Sequence, residues 1–152
     1  MKTLLTSRCI NQRGAGQDFL DSHSRHYDDA NHLFSMSRLA NADQLYGFSV
    51  ECGLKSLMIA FGMPFDQTHQ RPQNRQDRVH ADEVWDRYES YRSGHISGAN
   101  YILNNANPFN NWKASQRYEN QSSYNVGTVN PHKAAAEQVR QLVKKAQLEG
   151  LL

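Results

Sequence analysis

The stretch at residues 39–61 constrains the fold more than any other part of this 152-residue chain. Its apolar residues recur with the spacing of one face of a helix. They are Ala42, Leu45, Tyr46, Val50, Leu54, Leu57 and Met58. Residues 57–61 are apolar on every side, so other elements must enclose this end, and Gly62 and Pro64 end the pattern. The sequence therefore predicts a long central helix.

Two glycines and one ion pair inside this helix predict how it packs. Gly47 and Gly53 each cost about 1 kcal/mol in a helix interior relative to alanine, so we expect a neighbouring element to come close at both. Glu51 and Lys55 are four residues apart with the acid first. That order favours an ion pair, which is worth about 0.2–0.5 kcal/mol on an exposed surface.

Four further helical patterns complete an all-α bundle of about five helices. They cover residues 21–36, 77–91, 107–118 and 130–149. Asp21 or Ser22 can cap the first of them, and the Asn-Pro pairs at 107–108 and 130–131 are typical helix starts. The polar residues 67–77 and 119–129 indicate loops. We therefore predict an N-terminal arm over residues 1–20 and one helical domain over residues 21–152.

The composition limits the class of protein. A hydrophobic share of 38% and a mean hydropathy of −0.79 require a core concentrated in a few segments. The net charge of +2 mixes both signs and does not by itself indicate nucleic-acid binding. Residues 1–20 lack the continuous apolar run of a signal peptide, and no run reaches the length of a membrane span.

Cysteine usage predicts the compartment. Cys9 and Cys52 are the only two cysteines, and Cys52 lies mid-helix among apolar residues. We expect a buried free thiol there rather than a disulfide. Reduced thiols and the lack of an export signal predict a cytoplasmic protein.

Two groups of histidines are candidates for chemistry. His23 and His26 share a helix face, with Asp29 one turn further on, which is a possible metal site; the alternative is a polar helix surface. Arg75 and His80 offer a cation and a general base, as metal-independent ribonucleases require. His80 can equally cap the helix that follows it or pair with an acid.

A third candidate is Arg117–Tyr118 at the end of the predicted fourth helix. A guanidinium beside an aromatic ring can hold a phosphate or a base. The alternative is that Tyr118 packs in the core and Arg117 forms a surface ion pair. If Tyr118 points into the bundle, we expect Arg117 to reach Glu51, with Lys55 as a second positive group in the same ligand site.

The order of these pieces resembles the HEPN family (higher eukaryotes and prokaryotes nucleotide-binding domain). Residues 27–33 are similar to the first helix of the family, and residues 42–57 are similar to its second helix. His80 resembles the family histidine that follows a polar loop. Arg117–Tyr118 resembles the pair that closes the penultimate helix, and residues 134–136 match its Ala-rich last helix.

The resemblance implies an up-and-down helical bundle that commonly dimerises. Members partner nucleotidyltransferases or belong to toxin–antitoxin and defence systems, and some are ribonucleases. In the nuclease branch a histidine follows the arginine closely, whereas here Arg117 is followed by no histidine before His132.

We therefore expect a non-catalytic homodimeric module without a cofactor. It binds a nucleotide, a nucleic-acid phosphate or a protein partner. A metal-independent endoribonuclease is the first alternative, and a metal-binding bundle is the second.

Overall fold

The computed structural model describes residues 16–104 and 106–152, and within them four α-helices form the fold. They are α1 (Phe19–Ser35), α2 (Leu39–Ala60), α3 (Ala81–Arg92) and α4 (Val126–Leu148). The predicted all-α class is confirmed, but the expected count of about five is too high by one. Residues 1–15, with Cys9 and most of the predicted arm, lie outside the described residues.

Helix α2 is the centre of the fold, as its sequence predicts. It packs against α1, α3 and α4. Five of its large side chains are completely buried, namely Tyr46, Val50, Leu54, Leu57 and Met58. Both glycines mark close approaches, since Gly47 lies against Trp112 and Gly53 lies against His23 and Val139.

Helices α1 and α2 form a hairpin across a short turn. Helix α1 begins at Phe19 because the Asp18 carboxylate accepts a hydrogen bond from the backbone N–H of Asp21 at 2.9 Å. The predicted caps Asp21 and Ser22 are therefore inside the helix. This turn includes Ser37 at φ 60°.

The segment between α2 and α3 contains a small hairpin where the sequence predicts a loop. Strands β1 (Phe65–Asp66) and β2 (Arg71–Pro72) are antiparallel. The Asp66 carboxylate accepts from the backbone N–H groups of Thr68 and His69, which stabilises the turn between them.

Helix α3 begins at Ala81 rather than at residue 77, because Asp77 is used elsewhere. Asp77 belongs to a short 3₁₀ helix (Arg75–Asp77) and is completely buried. It accepts hydrogen bonds from Arg87 Nε and from the Tyr91 hydroxyl, both at 2.6 Å. Asp77 therefore does not begin the helix; it bonds instead to two side chains of α3.

The prediction of a fourth helix at residues 107–118 is wrong, since these residues form no α-helix. The Asn107 side chain bonds to the backbone N–H of Phe109 and to the carbonyl of Asp82, which ties this segment to α3 as a turn. A 3₁₀ helix follows at Ala114–Tyr118. Phe109 and Trp112 are nevertheless completely buried.

Helix α4 begins at Val126, before the predicted start at Asn130. Asn125 and Thr128 form a reciprocal capping box around the first turn. Pro131 therefore lies inside the helix, where its missing N–H leaves the exposed Gly127 carbonyl without an intrahelical partner. The predicted stripe is confirmed, with buried side chains at Ala135, Val139, Val143 and Ala146.

Helices in the described part of the chain lack the combination of length and apolar character that crossing a membrane requires.

Candidate functional site

A polar cavity lies between the first half of α2, the 3₁₀ helix Ala114–Tyr118 and the start of α4. Its volume is about 350 Å³. The residues that line it are Asp43, Asn111, Lys113, Gln116, Glu119, Ser123, Tyr124, Thr128 and His132.

An Asp–His pair forms the buried wall of this cavity. Asp43 Oδ1 lies 2.6 Å from Nδ1 of His132, and the two side chains are 3% and 5% exposed. The acid comes from α2 and the imidazole comes from α4. A carboxylate that accepts the Nδ1 hydrogen fixes the orientation of the ring and leaves Nε2 as its other polar atom.

The second ring nitrogen of His132 meets Asn111. Nε2 is 3.0 Å from the side-chain oxygen of Asn111, and the ring stacks on Phe109 with 4.7 Å between centroids. When Nε2 carries a hydrogen, it donates that hydrogen to the Asn111 oxygen. When Nε2 carries none, a flipped Asn111 amide would place its NH₂ group there and donate to Nε2. Asn111 can therefore satisfy both protonation states.

Asp43 accepts two further hydrogen bonds, one on its carboxylate and one on its backbone carbonyl. Gln116 Nε2 donates to Asp43 Oδ2 at 2.6 Å, and Trp112 Nε1 donates to the Asp43 carbonyl at 3.1 Å. The buried carboxylate thus has a partner on each oxygen, as its burial requires. This network joins α2, α4 and residues 109–118.

The outer part of the cavity is charged. Lys113 contributes a cation. Thr128 belongs to the first turn of α4, so the cavity borders the end of this helix that carries partial positive charge. Glu119 contributes a carboxylate, whose Oε2 accepts a hydrogen bond from the Tyr124 hydroxyl at 3.0 Å. Burial, and then this hydrogen bond, raises the pKa of Tyr124.

The predicted pair Arg117 and Tyr118 lies between the lining residues Gln116 and Glu119 in the sequence, but neither member of the pair lines the cavity. The lining residue Gln116 lies inside this 3₁₀ helix, and Lys113 and Glu119 flank the helix as its N-cap and C-cap residues. Arg117 and Tyr118 therefore point from its other faces. The guanidinium lies 4.5 Å from the Tyr118 ring centroid and donates to the Ala114 carbonyl.

Two expectations for that pair are wrong. Tyr118 is 78% exposed rather than packed in the bundle. Arg117 does not reach Glu51, because the two Glu51 oxygens bond to Lys55 Nζ at 2.8 Å and to His80 Nδ1 at 3.0 Å. Since neither Glu51 nor Lys55 lines the cavity, the four predicted ligand-binding residues do not form one site.

The predicted ion pair of Glu51 and Lys55 is confirmed, although it is largely buried rather than exposed. Burial raises the pKa of Glu51, but hydrogen bonds from His80 and Lys55 outweigh it and hold that pKa below its ordinary value. The hydrogen bond to Glu51 in turn raises the pKa of His80. His80 is at the N-terminus of α3 and pairs with an acid, one of its expected roles.

Arg75 and His80, the predicted catalytic pair, make no hydrogen bond to each other among the described residues. Arg75 is exposed in the 3₁₀ helix Arg75–Asp77, and the Nδ1 atom of His80 is used by Glu51.

The predicted metal ligands His23 and His26 have different surroundings. His23 is completely buried, with Nδ1 2.8 Å from the Ser49 carbonyl, whereas the His26 ring packs 5.7 Å from that of Phe48. Burial lowers the pKa of His23 to about 4. Within the described residues, no group of three His, Cys, Asp or Glu side chains is placed to hold a metal ion.

Cys52 is a free, half-buried thiol, and burial raises its pKa to about 12. The prediction of a free thiol at this position is confirmed.

Sequence reasoning missed the residues that form the cavity, above all Asp43, Lys113 and His132. One signal was present, because Asp43 is one turn before Tyr46 and Gly47 on the buried face of α2. A carboxylate on a buried face requires a buried partner. The identity of that partner is not readable from local spacing.

Comparisons with protein-family models, curated proteins and solved structures give no match to this chain. The resemblance to the HEPN family therefore rests on the sequence pieces described above.

Proposed function

We propose that this chain is a non-catalytic, HEPN-like helical module that binds a nucleotide or a nucleic-acid phosphate in the polar cavity. The observation that carries the proposal is the meeting of Lys113, His132 and the first turn of α4 around one cavity of about 350 Å³. This volume lies within the roughly 300–1,000 Å³ typical of small-molecule sites.

The charge distribution supports an anionic ligand. The first turn of a helix favours anions, and Lys113 adds a full positive charge beside it. Asp43 opposes this only weakly, since its two oxygens already accept from His132 and Gln116.

Arg117 and Tyr118 belong to the same proposal as outer contacts. Tyr118 offers an exposed aromatic face, and a guanidinium held beside it can contact a phosphate or stack on a base. They would extend the site beyond the cavity.

Calorimetry with AMP tests the proposal. We expect Lys113→Met to weaken AMP binding by at least about tenfold, because it removes the cation without removing the methylene stem. Lys144→Met is the matched control, since Lys144 is exposed on α4 and does not line the cavity. No binding of AMP or of a short RNA by the wild type, or equal losses in both variants, would sink the proposal.

A metal-independent endoribonuclease is the second candidate, and the carboxylate-oriented His132 near Lys113 is what favours it. His132 would take the proton of a ribose 2′-hydroxyl while Lys113 stabilises charge on the phosphate. From the non-catalytic proposal we expect no cleavage of labelled RNA in EDTA. Cleavage that is lost in His132→Ala but retained in His80→Ala, with both variants folded by circular dichroism, would favour the enzyme instead.

We also propose an up-and-down bundle that acts as a homodimer in the cytoplasm, with a nucleotidyltransferase as partner or as part of a toxin–antitoxin or defence system. The HEPN resemblance and the free thiol of Cys52 support this. Co-expression with a candidate nucleotidyltransferase, chosen from any that a neighbouring gene encodes, followed by gel filtration, tests the partner. Separate elution of the two proteins would contradict it.

A further inference from the structure

We infer that the cavity holds the sugar-phosphate part of a ribonucleotide, and that Glu119 accepts hydrogen bonds from the ribose hydroxyls. This inference rests on the proposed phosphate-binding function and adds which part of the ligand enters the cavity. It also names the residue that distinguishes ribose from deoxyribose.

The composition of the cavity wall favours a sugar over a base. All nine described residues that line it carry a polar group, and its two rings already have partners: Phe109 stacks on the His132 ring, and the Tyr124 hydroxyl bonds to Glu119. A nucleobase gains most of its binding energy by stacking on apolar or aromatic surface, at about 1–3 kcal/mol per base. A sugar phosphate needs hydrogen-bonding groups on every side, which is what this wall provides.

The carboxylate of Glu119 is the feature that a phosphate alone does not explain. An exposed acid opposite Lys113 repels an anion, unless the ligand also brings hydrogen-bond donors. Of the two acids in the wall, Asp43 is buried with both oxygens used, whereas Glu119 is exposed. Among the described residues, only the Tyr124 hydroxyl bonds to the Glu119 side chain, and that bond is to Oε2. Oε1 is therefore available to accept.

A vicinal diol is the donor group that fits this position. Carboxylates commonly bind the hydroxyls of ribose in nucleotide sites, since a diol presents two adjacent donors. Lys113 and Glu119 are the N-cap and C-cap residues of the 3₁₀ helix Ala114–Tyr118, so the cation and the acid lie at opposite ends of this helix. A phosphate at one end and hydroxyls at the other match this order of charges. The base would then lie outside the cavity, near the exposed Tyr118.

Calorimetry with four probes tests the inference: inorganic phosphate, ribose 5-phosphate, AMP and 2′-deoxy-AMP. We expect AMP to bind at least about tenfold more tightly than 2′-deoxy-AMP, because a hydrogen bond to a charged group is lost. Ribose 5-phosphate should keep most of the affinity of AMP. Glu119→Ala should abolish the difference between AMP and 2′-deoxy-AMP while phosphate binds as well as before or better. Glu137→Ala, an exposed acid on α4 outside the cavity, is the control and should keep the difference.

The contrary results distinguish failure of the ribose inference from failure of the proposed phosphate-binding function. Equal affinities for AMP and 2′-deoxy-AMP, or the same loss in Glu137→Ala, would overturn this inference and leave the proposed function standing. A preference among AMP, GMP, CMP and UMP that disappears in Glu119→Ala would show that the acid binds the base, which also overturns it. Failure of all four probes to bind the wild type would overturn both proposals.

Discussion

Trp112 lies directly against Gly47, and a Cβ atom added to that glycine would come within 2.1 Å of the indole ring. The same indole donates its Nε1 hydrogen to the carbonyl of Asp43, one turn earlier on α2. The glycine therefore lets the segment before the 3₁₀ helix seat against α2 beside the cavity.

Gly47→Ala should destabilise the protein by about 1–3 kcal/mol, because a buried ring of fixed position must move. Gly94→Ala is the control, since its added Cβ would meet nothing closer than 3.7 Å. Urea denaturation compares the two variants. If Gly47→Ala is instead more stable by about 1 kcal/mol, which is the gain expected from helix propensity alone, the Trp112 ring can move aside at little cost and the prediction is wrong.

Leu57→Ala should cost about 2–5 kcal/mol, since it removes a completely buried side chain and leaves a cavity at the centre of the fold. Leu148→Ala is the matched control, because Leu148 is 90% exposed at the end of α4. An unchanged denaturation midpoint for Leu57→Ala would mean that α2 is peripheral.

His23 should make the protein acid-sensitive. Its pKa is lowered from 6.5 to about 4 in the folded state, so the unfolded chain binds more protons between these values. The free energy of unfolding should therefore decrease as the pH falls from about 6.5 to 4, by up to about 3 kcal/mol from this group. Urea denaturation at pH 6.5 and 4.5 should show a smaller decrease for His23→Gln than for wild type. His32→Gln, exposed on the same helix, should behave as wild type; a decrease in His23→Gln equal to that of wild type would contradict the assignment.

Arg117→Lys should change the melting temperature by less than about 2 °C, since exposed substitutions are usually worth under about 0.5 kcal/mol. AMP binding should weaken, because lysine keeps the charge but lacks the planar fork. Thermal melts and calorimetry test both parts. A drop of several degrees, with no nucleotide bound by the wild type, would show that Arg117 has a structural role only.

Sedimentation at micromolar concentration should give twice the chain mass of 17.4 kDa. Trp85 and Tyr88 are buried in the core of the single chain, so an interface must use other side chains. A monomer at high protein concentration would end the dimer prediction.

Elements with a strong local pattern were predictable. The apolar faces of α2 and α4 follow from spacing, because a helix face depends on residues three and four positions apart. Element ends were less predictable where two signals competed. Asn130–Pro131 looked like a helix start, but the Asn125 and Thr128 capping box begins α4 earlier.

The sequence by itself determined the all-α class, the central helix and the Glu51–Lys55 pair, since each depends on neighbours within a few positions. Only the tertiary structure decided the cavity. Asp43 meets His132 across 89 positions and Gln116 across 73, and no local period encodes such distances. The packing of α4 and residues 109–118 on α2 brings these groups together, because a buried carboxylate is stable only where packing supplies its hydrogen-bond donors.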